Sequence, residues 1–456
     1  MRRLSITACA FAATSDLIEI NERKPGYYAG LFCCVAVKRT ITVLTLYIAP
    51  VECLVSSPII IDTSLVGITF EDAMRLLNES EVPLWIRAAT SPEAFQVEQE
   101  ALGQLWTYVG LTTDIPVVGD WFRTTVGGRS IFIQRFEEGF RAFRNQCAHR
   151  FYPLRTKEAG NGPVLCGFHH WRYNSDGVAL GIPDCPNMYG CIPREMNARI
   201  EQLDLDTCGA AIFVRFRSED AQETLRDYLG EGYTILSSFC RPSRPPYRFR
   251  QKIKSHWKFS HHISLDDYHI VAVHPTSFGK QGYLKREEVH YHRFGRHSAY
   301  SAGSDPDHFV KTVAGCHDGN YQPDRYLIVN FFPNVLIVQL RVPDIFGSTH
   351  WYGLIQRYAP VSHCESEVQG WLFKLPFNPP LKRISQISLP ITDRLAPPIT
   401  AYFAKKIVAE DNAVVERQQS LAHEVRSEQR LAAHEMRIEW FEEAYRAALQ
   451  SRYAPL

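Results

Sequence analysis

The residues best suited to chemistry lie in two short motifs. Cys147-Ala148-His149 and Cys166-Gly167-Phe168-His169 form C-x-H, sixteen intervening residues, then C-x-x-H. Each stretch offers one thiolate and one imidazole. Two Cys on one iron and two His on the other is the ligand set of a Rieske-type [2Fe–2S] centre. The same residue types also make a Cys2His2 zinc site, which stays the alternative. Zinc fingers usually group their ligands as a Cys pair and a His pair. Here they interleave, between stretches that read as short strands, and this favours the cluster.

The segment 255–275, SHWKFSHHISLDDYHIVAVHP, contains a second motif, His269-x4-His274. Five residues put the imidazoles out of phase on an ideal helix. A distorted last turn before Pro275 would let both reach one metal. Asp266 lies one helical turn before His269, and Asp267 is the alternative acid in worse phase. Alone the pair means little, since most such histidines are surface or core residues. Its position 100 residues after His169 gives it weight. Ferrous oxygenases use two His and one carboxylate, leaving positions for O2 and substrate.

The stretch 106–150, from WTYVGLTTDIPVV to NQCAHR, and then CGFHHWRYNSDG to Gly177, resembles the Rieske domain of ring-hydroxylating, non-haem iron oxygenase α-subunits. The resemblance runs from about residue 82 to 456. It implies that Cys147 and Cys166 hold one iron of the cluster, and His149 and His169 the other. It implies a mononuclear Fe(2+) held by His269, His274 and Asp411, the last within 407-IVAEDNAVVERQQ-419, with Glu410 as its nearest rival. Asp266 matches the acid that joins an iron-ligand His to a Rieske His of the neighbouring chain. Several positions depart from the family. His170 stands where Gly often follows the second His, and Phe151-Tyr152 where a small Gly-Ala pair is common. His256-Trp257-Lys258 replaces Asn-Trp-Lys, and His261-His262 replaces Glu-Asn, so His262 occupies the place of an iron-proximal Asn. The family's respiratory relatives carry an extra cysteine in each cluster loop. This chain has none there, and Cys185 and Cys191 are expected to be free thiols in a reducing cytoplasm.

The composition fits such a protein. The 456 residues carry a net charge of +1, which excludes a polybasic nucleic-acid binder. Twelve cysteines are too few for a disulfide scaffold. Residues 1–80 form an atypical extension with Cys9, Cys33, Cys34 and Cys53, and Met-Arg-Arg-LSITACAFAA reads either as ill-defined extension or as a short signal peptide. Lys38 and Arg39 split its apolar runs below the ~18–20 residues of a spanning helix. Ser91-Pro92-Glu93 predicts a helix start, with the lead-in helix inside 81–105. Strands with turns at Gly127-Gly128 and Glu138-Gly139 follow, and Asn174 to Gly177 reads as another hairpin turn. Residues 277–375 are expected to be mostly β, 376–398 irregular with prolines, and about 400–450 one long polar helix.

The expected organisation is α+β. A small all-β Rieske domain (106–216) precedes a larger catalytic domain (217–456) with an antiparallel sheet and helices, helix-grip or START-like. The resemblance implies the terminal oxygenase component of an EC 1.14 mono- or dioxygenase. It takes electrons from NAD(P)H through a reductase and possibly a ferredoxin, and attacks an apolar, aromatic substrate with O2. Phe259, Tyr268 and Phe278 suit such a substrate or ordinary core. A cytoplasmic homotrimer, with or without a β subunit, is the implied assembly, with no membrane or nucleic-acid partner. The rival readings are a Rieske electron carrier without oxygenase chemistry and a zinc-stabilised binding protein.

Overall fold

The computed structural model describes residues 36–37, 40–41, 81–217, 222–242, 244–275, 288–343, 348–377 and 383–453. Cys9, Cys33, Cys34, Cys53 and Phe278 lie outside the described residues. Contacts divide the chain into two units, Met1–Ile68 and Thr69–Leu456. In the first, Ala36–Val37 pairs antiparallel with Thr40–Ile41. Everything below concerns the second.

After the short helix Leu84–Arg87 comes the helix Pro92–Leu102, capped by Ser91, whose Oγ accepts from the Ala94 N–H at 3.1 Å. A seven-stranded antiparallel sheet follows. Its order across is Thr107–Leu111, Ala211–Arg215, Gln202–Cys208, Gly139–Arg144, Arg129–Phe136, Asp120–Val126 and Ala159–Asn161. Alternation along a strand sends neighbours to opposite faces. Ile131 and Ile133 therefore pack with Val109, Ala142 and Val214. Phe132, between them, packs on the other face with Phe143, Cys147, Trp171 and Tyr173. That second face supports a three-stranded sheet, Val164–Leu165, Arg172–Tyr173 and Ala179–Gly181. The motif loops spring from these strands.

A second seven-stranded antiparallel sheet forms the larger half. It runs Tyr247–Ile253, Glu365–Lys374, Thr349–Ser362, Val335–Pro343, Leu327–Phe331, His297–Ala302 and Val289–Phe294. A buried arginine ties the halves. Arg357 donates from Nη1 to Thr124 Oγ1 at 2.9 Å and from Nη2 to the Thr125 carbonyl at 2.6 Å. The helix His308–His317 interrupts the β region, with Phe309, Thr312 and Cys316 buried at helical spacing.

The C-terminal expectations need correction. The helix Arg383–Leu421 begins inside the proline-rich stretch expected to be irregular and contains Pro390, Pro397 and Pro398. Ala401, Val408 and Val415 recur every seventh residue and are buried, and this stripe packs the helix against Tyr247–Ile253 and Trp257–Ile263. Such packing outweighs local propensity. The helix also ends earlier than expected. The Arg426 guanidinium donates to the carbonyls of His423 and Val425, and the Ala432 N–H is taken by Glu435 before the next helix, Met436–Tyr453. Side-chain capping thus breaks a stretch that has neither Gly nor Pro.

A buried carboxylate joins three distant segments. Glu98 Oε2 accepts from Trp257 Nε1 at 2.9 Å and lies 3.2 Å from His256 Nε2, while its Oε1 accepts from Tyr445 at 2.6 Å. Burial alone would raise the Glu98 pKa. His256 and the three hydrogen bonds outweigh it and hold the pKa below its ordinary value.

Candidate metal centres

The two cysteine loops share one backbone design. The Cys147 N–H donates to the Tyr152 carbonyl, and the Cys166 N–H to the Trp171 carbonyl, both at 2.9 Å. The Cys147 carbonyl accepts from the Phe151 N–H, and the Cys166 carbonyl from the His170 N–H, both at 3.0 Å. Both loops turn through a left-handed residue, Phe151 and His170, each at φ 58. These are the departures noted in the sequence. A left-handed turn favours Gly, and a side chain there costs about 1–2 kcal/mol. His170 is therefore a turn residue of the knuckle.

The side chains converge. Cys147 and Cys166 are buried, while the His149 and His169 rings lie 4.7 Å apart nearer solvent. His149 stacks on Trp171 at 4.8 Å. Its Nε2 lies 3.3 Å from the Tyr189 hydroxyl, and its Nδ1 is buried without a hydrogen-bond partner. The Tyr173 hydroxyl accepts from the Ala148 N–H at 3.0 Å and so can donate to Cys147 Sγ, 3.1 Å away. Burial pushes the Cys147 thiol up, Cys166 adds to this, and the Tyr173 bond opposes it. A metal would reverse that preference. Two buried sulfurs, two outer imidazoles and an orphaned Nδ1 fit a [2Fe–2S] group.

The second group lies where the helix Ile270–Val273 meets Arg383–Leu421. His269 and His274 flank the short helix, and the irregular backbone at His274 brings both rings to one side. Their Nε2 atoms are 3.3 Å apart, and Asp411 Oδ1 lies 2.8 Å from His274 Nε2 and 3.5 Å from His269 Nε2. Among the described residues these three form the one group of His, Cys, Asp and Glu side chains with metal-ligand spacing. Asp411 Oδ1 is buried and faces the two imidazole Nε2 atoms. Two imidazole nitrogens and a carboxylate oxygen crowded about one point are the donor set of a divalent iron.

The outer nitrogens are held by acids. His269 Nδ1 lies 3.1 Å from Asp266 Oδ2, and His274 Nδ1 lies 2.7 Å from Glu410 Oε2. Glu410, the rival for the Asp411 position, therefore sits behind a histidine instead. Burial disfavours protonation of His269, but Asp266 and Asp411 outweigh it and raise its pKa to about 9. Asp267 turns away to Arg437, at 3.1 Å. His262 Nε2 lies 3.0 Å from Glu442, so its ring is committed to the C-terminal helix. Phe259 is buried core and Tyr268 is exposed. The sequence reading missed Tyr173, Tyr189, Glu410 as a histidine partner, and Glu442. Only Tyr173, two residues past the second knuckle, had a positional cue.

Comparison with known proteins agrees. The Rieske [2Fe-2S] domain family matches residues 105–199. The large oxygenase component of salicylate 5-hydroxylase from Ralstonia sp is 30% identical over 243 residues, 49% of this chain and 56% of that one. The anthranilate 1,2-dioxygenase large subunit of Burkholderia cepacia is 30% identical over 206 residues, 43% of this chain and 48% of that one. The chain thus spans about half the length of the curated relatives it matches. Naphthalene 1,2-dioxygenase from Rhodococcus sp., solved with indole bound, superposes with a TM-score of 0.65 at 17% identity, covering 85% of this chain and 100% of that one. No helix among the described residues is long and apolar enough to cross a membrane. The chain thus matches the Rieske [2Fe-2S] domain family over residues 105–199, is similar in sequence to large oxygenase components of salicylate and anthranilate oxygenases, and shares the fold of a naphthalene dioxygenase.

Proposed function

We propose that the protein is the terminal oxygenase component of a Rieske non-haem iron system. Residues 106–216 carry the cluster and residues 217–456 the reacting iron, after a lead-in over 81–105 and a dispensable extension over 1–80. The observation that carries this reading is the presence of both donor sets in one chain. A Rieske electron carrier needs no His269, His274 and Asp411 constellation. In this reading Cys147, His149, Cys166 and His169 hold the cluster, and His269, His274 and Asp411 hold Fe(2+). When bound, these groups supply single electrons and the reduction of O2.

The protein's own part is orientation. Asp266 fixes the His269 tautomer and Glu410 that of His274, so that each imidazole presents Nε2 to the metal position. Tyr173 supports the Cys147 thiolate. Asp266 would also connect the iron site to the cluster of a neighbouring chain. Exposed Phe151, Tyr152, Phe168, Met188 and Tyr189 surround the cluster loops and supply an apolar docking face. A head-to-tail contact that closes gives a ring, and we propose a homotrimer served by an NAD(P)H-dependent reductase, with or without a ferredoxin. The substrate is aromatic, as for the relatives named for salicylate, anthranilate and naphthalene.

Metal analysis tests this. Purified under anaerobic conditions, the chain should contain about three irons and two labile sulfides, two of the irons in the cluster. Two irons would support the carrier, and zinc without sulfide the binding protein. With reductase, NADH and an aromatic acid or hydrocarbon, oxygenated product should appear in step with O2 uptake. Absence of product from both substrate classes, with three irons bound, would overturn the oxygenase reading.

A further inference from the structure

The short helix Cys185–Tyr189 lies beside the cluster loops. It starts from a left-handed Asp184 (φ 51) and ends at Gly190 (φ 69), whose N–H donates to the Pro186 carbonyl at 2.9 Å. This is a left-handed C-terminal cap. In such caps the residue after the glycine packs back on a residue of the first turn. Here those residues are Cys191 and Cys185, so the cap turns Cys191 back toward Cys185. Cys185 is buried in the Rieske core, and Cys191 is half-buried and open to solvent. Burial and the adjacent Cys191 both raise the Cys185 thiol pKa, in keeping with that contact. Tyr189, two residues before Cys191, places its hydroxyl 3.3 Å from His149 Nε2.

We propose that Cys185 and Cys191 are a reversible dithiol–disulfide pair whose closure pins Tyr189 on His149. The oxidant is a small-molecule disulfide of the glutathione type. The more accessible Cys191 thiolate attacks one of its sulfurs and releases one thiol. Cys185 then attacks Cys191 Sγ in the mixed disulfide and releases the second. The pair loses two electrons and two protons, and the oxidant leaves as two thiols. The closed loop spans Cys185 to Cys191 and holds the cap rigid. A fixed hydroxyl accepting from the His149 N–H makes that imidazole more electron-rich, which favours the oxidised cluster and lowers its potential. The bond itself does not depend on the metal assignment, whereas its effect on potential rests on His149 as a cluster ligand.

The test uses the full chain, treated with oxidised glutathione and then alkylated under denaturing conditions. Both cysteines fall in one tryptic peptide, Tyr173–Arg194. That peptide should be unalkylated and lighter by two hydrogens, and dithiothreitol should restore two alkylated cysteines. Recovery of both cysteines alkylated, or each bearing glutathione, overturns the proposal. The cluster midpoint potential should be lower in the disulfide form of the wild type. Cys191→Ser should remove this difference. Tyr189→Phe should still form the bond but show no shift. An unchanged or raised potential in the bonded wild type overturns the link to His149. A bonded peptide in protein without cluster absorption would instead count against the metal assignment.

Discussion

The two metal centres are built by opposite means. The cluster loops take all four candidate ligands from a contiguous 147–169 stretch and shape them with backbone hydrogen bonds repeated loop for loop. The second centre joins His269 to Asp411 across 142 residues and shapes its ligands with side-chain carboxylates. A centre made of local turns tolerates unusual side chains around it, as Phe151 and His170 show. A centre made of packed helices depends on each acid behind its ligands. The contrast makes damage separable.

The sharpest break is a crossed pair of substitutions. Cys166→Ser should abolish cluster absorption and labile sulfide, while Asp411→Ala should remove the third iron and leave the cluster spectrum intact. Product formation falls to background in both. A cluster surviving Cys166→Ser would refute the assignment. Asp266→Asn should keep both metals and cluster reduction but lower single-turnover product yield by about 100-fold. Near-normal yield would mean that electrons do not pass by way of Asp266.

Glu410→Gln should weaken iron affinity about tenfold without touching the cluster, read by chelator competition on the anaerobic protein. An unchanged affinity would make Glu410 a bystander and Asp266 the one acid that matters.

Acid should strike the larger half through His297. Its Nε2 lies 2.6 Å from the Tyr228 carbonyl, its Nδ1 accepts from the Phe332 N–H, and burial lowers its pKa to about 4. The unfolded chain binds this proton near pH 6.5 and the folded chain does not. Stability is therefore lost as pH falls below about 6.5, by up to about 1.4 kcal/mol per unit down to pH ~4. Urea midpoints between pH 7 and 5 would show the slope, and His297→Gln should make it shallower, leaving the share of His261, whose pKa burial also lowers. Identical slopes in both proteins would rule out His297 as the cause.

The smallest effect belongs to the knuckles. His170→Gly removes a left-handed side chain but adds unfolded-state freedom, so the net gain is under about 1 kcal/mol. Calorimetry should find a slightly higher melting temperature with the cluster retained. A clear fall would show that the His170 ring contributes contacts of its own.

The same contrast explains what the sequence disclosed. The interleaved cysteines and histidines lie close enough for spacing alone to suggest a cluster. The histidine pair gained its meaning from following them, and Asp411 from family resemblance, because a lone acid on a charged helix carries no local signal. Glu410 and Asp411 are adjacent. Only the phase of the helix Arg383–Leu421 against His274 separates the acid that faces Nε2 from the one that faces Nδ1. That phase is set by Ala401, Val408 and Val415 in the packed interior, across prolines that locally argue for a loop. The break after Leu421 was equally hidden, since it depends on where the Arg426 guanidinium comes to rest.

Glu98 has a consequence for the timing of assembly. Its carboxylate is exposed to no solvent partner only once Trp257 and Tyr445 have both arrived. The strands around the cluster loops are all present by Arg215. During synthesis the strands around the cluster loops can thus pair while roughly half the chain is still to be made, whereas Glu98 stays hydrated and the lead-in helix undocked until the last helix packs.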